Sequence, residues 1–286
     1  MALPTRTDIS SLIERHDALF FDSYGVLIDG VDALPGAVEL VSRMNDDGVN
    51  YFVVTNDASV SLAARIAKLK SQGFDIPVER IVNSGSLITG HYEQHNLQNA
   101  ATLVLGTEDS RDYARTAGAK FVELDGDTEP DVVIVGHSGP HDWESTLEKL
   151  LLFFSRRFTE GNPVQLILPN PDFIYPNGPR VFGFGAAAFV DLLEQALVRL
   201  HGPHEALVAT KLGKPYAPIF DEAAKRAGTN DAVMIGDQLE TDIKGANGAG
   251  IDSAVVTTGI NRRTEPEEFE DVSDELTPRY ILTSLV

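Results

Sequence analysis

Asp22 closes the apolar run Ala18–Phe21, and Gly25 follows three residues later. That pattern is a strand delivering a carboxylate to a tight turn. A carboxylate so placed can attack phosphorus to form an aspartyl phosphate, dividing one difficult displacement into two easier ones. It can serve a metal as well, and its plainer use is to cap a turn or helix. Thr55-Asn56-Asp57 follows the apolar stretch Val49–Val54. A hydroxyl, an amide and fresh N–H groups at a helix start suit a phosphate oxygen, or simply a helix cap. Gly213-Lys214-Pro215 holds a lysine in a turn, a point charge for a phosphoryl group. Gly236-Asp237-Gln238-Leu239-Glu240-Thr241-Asp242 follows the run Ala232–Ile235. Carboxylates five positions apart at a strand end make a hard oxygen site suited to Mg2+, or acids favouring a helix dipole. If Asp22 lies nearby, the unpaired carboxylates raise one another's pKa, and a divalent ion relieves that repulsion.

The elements that must position these groups alternate between β-rich runs and amphipathic stretches. Strands are expected at 18–21, 49–54, 232–235 and 254–256, with helices over 34–45, 59–71 and about 241–247. Between them, 102–105, 132–135 and 165–168 read as strands, and 108–116, 143–154 and 186–200 as helices. The alternation predicts an α/β protein with a parallel sheet and helices on both faces. Asp22 lies before the middle block and Asp237 after it. A second α/β unit is therefore expected as an insertion, with 1–81 and 204–286 forming the core and 82–203 the inserted domain. Ligands of open α/β sheets bind beyond the carboxyl ends of the strands, so the four polar elements can converge there.

The 286 residues suffice for one large or two ordinary domains, and 43% are hydrophobic. No apolar stretch approaches the roughly 18 residues of a membrane helix, and the polar N-terminus lacks a signal core. A cytoplasmic protein with no membrane partner is expected. The absence of cysteine excludes disulfides and thiolate chemistry. Twenty-three Lys and Arg against 43 Asp and Glu give a formal charge of −20. Such a surface repels nucleic acid, and a bound cation is needed to reverse the sign for a phosphate ligand.

Taken together in order and spacing, Asp22, Thr55-Asn56, Gly213-Lys214-Pro215 and Gly236-Asp237-x-x-x-Thr241-Asp242 resemble the motifs of the haloacid dehalogenase (HAD) superfamily, in its NagD-like type IIA branch. Leu34-Pro35-Gly36-Ala37, Asn170-Pro171-Asp172 and Gly183-Phe184-Gly185-Ala186 are further local matches. The resemblance implies a Rossmann-like core with an inserted α/β cap, and Mg2+-dependent hydrolysis of a small phosphate ester through a phosphoaspartate in a cleft between them. It makes Asp22 the nucleophile and a metal ligand, and Asp237 the other direct carboxylate ligand. Asp242 supports the metal through water or the lysine, and the carbonyl of Tyr24 completes the set. Thr55, Asn56 and Lys214 hold the phosphoryl group, and Asn170 and Asp172, in a rigid loop with two prolines, either help select the substrate or serve the turn structurally. Relatives often pair through the cap, so a homodimer is expected.

Position 24 departs from the pattern, because phosphatases of the family carry a second aspartate there. Its general acid–base help is worth roughly 10²–10⁴-fold. A phenol, with a reference pKa near ~10, donates a proton but is a poor base near neutrality. A weakened or leaving-group-selective phosphatase is therefore expected, with a catalytically lapsed phosphate-binding protein as the alternative. A tyrosine here also resembles the true haloacid dehalogenases, which attack carbon without metal. The acidic pair Asp237 and Asp242 has no use in such a site.

Weaker signals have plainer readings. Gly183-x-Gly185-x-x-Ala188 fits a dinucleotide pattern, but the preceding 176–180 reads as a turn rather than the required strand. His137 and His141 flank Gly139-Pro140, so no helix presents both on one face. Trp143 is expected to anchor an inserted helix to its sheet, and 265–275 to be a solvated acidic loop.

Overall fold

A computed structural model describes residues 3–139, 141–176 and 181–285. The chain begins with β1 (Thr5–Thr7), α1 (Ile9–Arg15), β2 (Ala18–Phe21), α2 (Ala37–Asp46), β3 (Tyr51–Thr55), α3 (Leu62–Ser71) and β4 (Ile81–Asn83). It continues through α4 (Leu87–His95), β5 (Ala101–Leu105), α5 (Glu108–Thr116), β6 (Lys120–Phe121), β7 (Val132–Val135), α6 (Trp143–Thr159), β8 (Gln165–Leu168), β9 (Ile174–Pro176), β10 (Phe182–Phe184), α7 (Ala186–His201) and β11 (Thr210–Lys211). It returns with α8 (Ala217–Ala227), β12 (Ala232–Gly236), α9 (Lys244–Ala249), β13 (Asp252–Val256) and β14 (Tyr280–Leu282).

Two compact units result. One holds 1–55, 62–83 and 214–286, and the other holds 56–61 and 84–213. The second unit therefore ends at Gly213 rather than at the expected 203, because β11 pairs with β8 in its sheet. A two-residue strand leaves no apolar run to read. The second unit also takes in the loop 56–61, and side chains explain why. Ser84, Ser110, Thr107 and Tyr113 donate to the carbonyls of Asn56, Ala58, Ser59 and Val60, at 2.7, 3.1, 2.7 and 2.8 Å.

The first unit is a seven-stranded sheet in the order β1-β14-β13-β12-β2-β3-β4, parallel throughout. Its central strands are apolar and buried at every position, as a sheet covered on both faces demands. Leu19, Phe21, Val53 and Ile235 pack against Leu12 and Met44 on one face. Phe20 turns to the other, edge-on to Phe52. The acidic tract 265–275 is not simply solvated. It folds into two short 3₁₀ turns, and the first buries Phe269 against Ile243, Val255 and Ile281.

The second unit has a five-stranded parallel sheet, β11-β8-β7-β5-β6, and a separate antiparallel pair, β9 and β10. Trp143 stacks on Phe189 at 4.1 Å between ring centroids, which ties α6 to α7, and it packs against the buried cluster to which the sheet strands contribute. The motif's first glycine, Gly183, lies inside a strand, β10, while 177–180, on which the expected turn falls, and Pro140 lie outside the described residues. That strand is antiparallel and belongs to no βαβ unit, so the dinucleotide context is missing. Gly185 is glycine because a Cβ there would run into the carbonyl of Asp172. His137 uses Nδ1 locally, accepting from the Gly139 N–H at 3.0 Å.

Candidate active site

Strand register brings the two main carboxylates together. β2 and β12 are adjacent and parallel, with Phe21 opposite Ile235. The Asp22 N–H extends the ladder to the carbonyl of Ile235 at 2.9 Å. Both strands stop within a residue or two, and each then presents an aspartate. The chain order also reverses between them: β2 leads to β3 and β4 on one side, β12 to β13 and β14 on the other. This is a topological switch point, where diverging loops leave an open crevice at the carboxyl edge.

Asp22, Asp237 and Asp242 are all buried, with one carboxylate oxygen of each within 4.8 Å of the others. Asp242 sits on a single π turn (Leu239–Ile243) after β12. Its Oδ2 accepts from the N–H groups of Asp237 and Gln238, both at 3.1 Å, which fixes the turn that carries Asp237. Lys214 opens the returning segment and is itself buried. Its Nζ lies 2.7 Å from Asp22 Oδ1 and 2.7 Å from Asp242 Oδ1.

Three carboxylates thus face one ammonium. Burial pushes the Asp22 carboxyl up to about 7; Lys214 opposes that rise and Asp242 adds to it. Burial, with Asp22 and Asp242, also holds Asp237 well above the usual carboxylate range. Burial works against the Lys214 charge, but Asp22 and Asp242 outweigh it and raise its pKa. Asp237 Oδ2 accepts from the Ile260 N–H at 2.6 Å, whereas its buried Oδ1 has no hydrogen-bond partner among the described residues. A buried anionic oxygen is costly to leave unpaired. An all-oxygen donor set, short of positive charge and carrying an orphaned carboxylate oxygen, fits a hard divalent cation such as Mg2+.

The seat of Asp237 includes Gly25, read from sequence only as the turn glycine after Asp22, and Thr258 and Gly259, which sequence reasoning missed. Gly25 has φ +79°, and a Cβ there would lie 2.5 Å from Asp237 Oδ2. A Cβ at Gly259 would overlap the same carboxylate. Thr258 donates from its hydroxyl to the Gly25 carbonyl at 2.5 Å, tying the two backbone segments together. The signal available was a glycine just after β13, the strand next to β12.

Of the other expected residues, Thr55 is buried at the end of β3 in the same unit. Tyr24 is half-buried there, and its hydroxyl accepts from Arg65 Nη1 at 3.1 Å. Asn56, Asn170 and Asp172 gather in the second unit. Asn56 Nδ2 donates to Asp172 Oδ1 at 2.8 Å, and the Asp172 N–H donates to Asn170 Oδ1 at 2.9 Å.

The fold and this constellation define a HAD-type hydrolase, and comparison with known proteins agrees. Residues 19–120 match the haloacid dehalogenase-like hydrolase family, and 211–286 match a HAD-hydrolase-like family. The chain belongs to this superfamily, in its NagD-like branch. A D-glycerol 3-phosphate phosphatase of Mycobacterium tuberculosis is 29% identical over 274 residues, 96% of this chain and 71% of the relative. The crystal structure of a glycerol phosphate phosphatase from that organism, in complex with magnesium, matches at TM-score 0.78 and 28% identity, covering 96% of this chain and 77% of that one. A possible sugar phosphatase from Cytophaga hutchinsonii matches at TM-score 0.81 and 25% identity over 99% of both chains.

Proposed function

We propose that the protein is a Mg2+-dependent phosphatase of small phosphomonoesters, of the glycerol phosphate or sugar phosphate kind. The observation that carries this reading is the buried Asp22–Lys214–Asp242 ion triad beside the orphaned Oδ1 of Asp237. Asp22 and Asp237, with the carbonyl of Tyr24, would hold the ion. When bound, it supplies positive charge that keeps Asp22 ionised and offsets the charge of the phosphoryl oxygens.

The chain's own groups carry the rest. Lys214 holds Asp22 by Oδ1, which leaves Oδ2 to attack phosphorus. The bond between Asp22 and phosphorus forms as the ester P–O bond breaks, and its electron pair leaves on the alkoxide. Water then attacks the same phosphorus, releasing phosphate and returning Asp22 as a carboxylate. Lys214 and Thr55 bind the phosphoryl oxygens. Asp242 fixes the turn that carries Asp237 and shares Lys214. Asn56 is a further phosphoryl ligand, oriented by Asp172, and Asn170 and Asp172 contribute to substrate choice.

Among the described residues no helix is long and apolar enough to cross a membrane. A small phosphate ester met in the cytoplasm is the substrate class this reading selects, and pairing of two copies through the inserted unit belongs to it. A phosphate-release screen over aliphatic and aryl esters, with Mg2+ and with chelator, tests it. Release that depends on Mg2+ is expected. Chloride release from 2-chloropropionate without any phosphate release would overturn it in favour of carbon chemistry.

A further inference from the structure

The two carboxylate oxygens of Asp237 have different surroundings. Oδ2 accepts from the Ile260 N–H at 2.6 Å. Gly25 and Gly259 close on the same oxygen, each so near that a Cβ would collide with it. Backbone therefore occupies the approaches to Oδ2, and Oδ1 is the oxygen without a hydrogen-bond partner among the described residues. The loop after β13 that supplies Gly259 and Ile260 is shaped by Asn261, a buried side chain. Its Nδ2 donates to the carbonyls of Val256 at 3.3 Å and Arg263 at 2.9 Å, and its Oδ1 accepts from the Arg263 N–H at 3.1 Å. Both amide hydrogens and the amide oxygen are thus in use. One side chain joins the last residue of β13 to the far end of the loop. The Asn261 N–H also donates to the Asp237 carbonyl at 2.9 Å. On the exposed side, Arg262 Nη1 donates to the Gly259 carbonyl and Thr258 Oγ1 to the Gly25 carbonyl, both at 2.5 Å.

We infer that Asn261 is a positioning residue for Asp237, and that the loop it closes makes Asp237 a one-oxygen ligand, so that the site prefers a small octahedral ion such as Mg2+ or Mn2+ to Ca2+. The inference rests on the metal-binding half of the phosphatase reading above. Mg2+ demands a compact, near-octahedral set of oxygens, whereas Ca2+ takes about six to eight and gains from a carboxylate that grips it with both. Asp237 cannot turn Oδ2 to an ion without breaking its bond to the Ile260 N–H and leaving the gap between two glycines. Holding Oδ2 on backbone therefore withholds the second oxygen that Ca2+ would use. Without the Asn261 amide, the loop loses its tie from Val256 to Arg263, and the carboxylate gains freedom to rotate. Ca2+ then recovers ground against Mg2+.

The test measures Mn2+ binding to the substrate-free protein from the EPR signal of the free ion, and Mg2+ and Ca2+ binding by competition. The proteins are wild type, Asn261→Ala, Thr258→Val and Thr258→Ser. Wild type should bind Mg2+ and Mn2+ in preference to Ca2+. Asn261→Ala should lower the Mg2+-to-Ca2+ affinity ratio by about fivefold, a part of the roughly tenfold or more carried by one whole hydrogen bond to a charged group. Thr258→Val, at the exposed end of the loop, should lower the ratio by less, and Thr258→Ser, which keeps the hydroxyl, should hold it near wild type. Should Asn261→Ala fail to fold, the two Thr258 variants decide the matter. If affinity for all three ions falls by one factor, or the ratio holds while the melting temperature drops, the loop is structural only and the inference is overturned. Wild type that prefers Ca2+, or binds none of the ions, overturns it too. Phosphate release is assayed separately. A protein that shows the ion preference and its loss in the variants, yet hydrolyses no ester, would sink the phosphatase reading and leave this inference standing.

Discussion

Replacing Asp22 by Asn should make the metal-free protein more stable at neutral pH, although it removes the proposed nucleophile. A carboxyl ordinarily at 3.8 but held at about 7 resists ionisation by about 4 kcal/mol, at about 1.36 kcal/mol per pH unit. The sign follows from proton counts. Between those two values the folded state keeps a proton that the unfolded state has lost, so folding stability falls as pH rises through the window. Asn resembles the neutral carboxyl and has no such dependence. In chelator, wild type and Asp22→Asn should be about equally stable near pH 4. The variant should lead progressively towards pH 7.5, by up to about 4 kcal/mol. Urea unfolding at several pH values measures the difference directly, and titrating groups outside the Asp22, Asp237, Asp242 and Lys214 cluster cancel in it. Mg2+ should then stabilise wild type far more than the variant, because it satisfies an ionised cluster that the variant has already relieved. A variant less stable than wild type at every pH in chelator, or a difference flat with pH, would refute the electrostatic reasoning.

Other substitutions probe neighbouring parts of the account. Lys214→Met leaves Asp22 and Asp242 without their buried cation. It should cost about 3–5 kcal/mol at pH 8 in chelator by urea unfolding, and about 10²–10³-fold in phosphate release. Gly259→Ala drives a methyl into the Asp237 carboxylate. It should weaken the Mg2+-induced rise in melting temperature, while the chelated protein loses only about 1–3 kcal/mol of stability. Asp172→Ala removes the acceptor that orients Asn56. Steady-state kinetics should show a raised KM for phosphate esters, with little change in urea stability.

Much of the core was readable from sequence because its signals are local. Apolar runs of four or five residues ending in Asp22, Thr55 and Gly236 mark strands, and a parallel α/β arrangement then places their carboxyl ends together. The proximity of Asp22, Asp237 and Asp242 follows from that geometry. What sequence did not show depends on contacts distant along the chain. Arg65 reads as one cation in an amphipathic helix, and only the fold reveals that it is buried on Tyr24. Gly259 shows in the sequence only as a glycine after a strand, and the fold alone reveals the carboxylate that rests against it. The loop 56–61 belongs with the second unit because hydroxyls from positions 84, 107, 110 and 113 take its carbonyls. Phe269 is masked by seven acidic neighbours between 265 and 275, although one buried ring decides how that tract folds.

The most direct measurement is anomalous diffraction from crystals grown with Mn2+ in place of Mg2+. A single strong peak bounded by the carboxylates of Asp22 and Asp237, with Lys214 still on Asp22, is the expected result. Manganese bound elsewhere, with Asp237 Oδ1 satisfied by protein donors alone, would contradict the claim that these buried acids exist to hold a divalent ion.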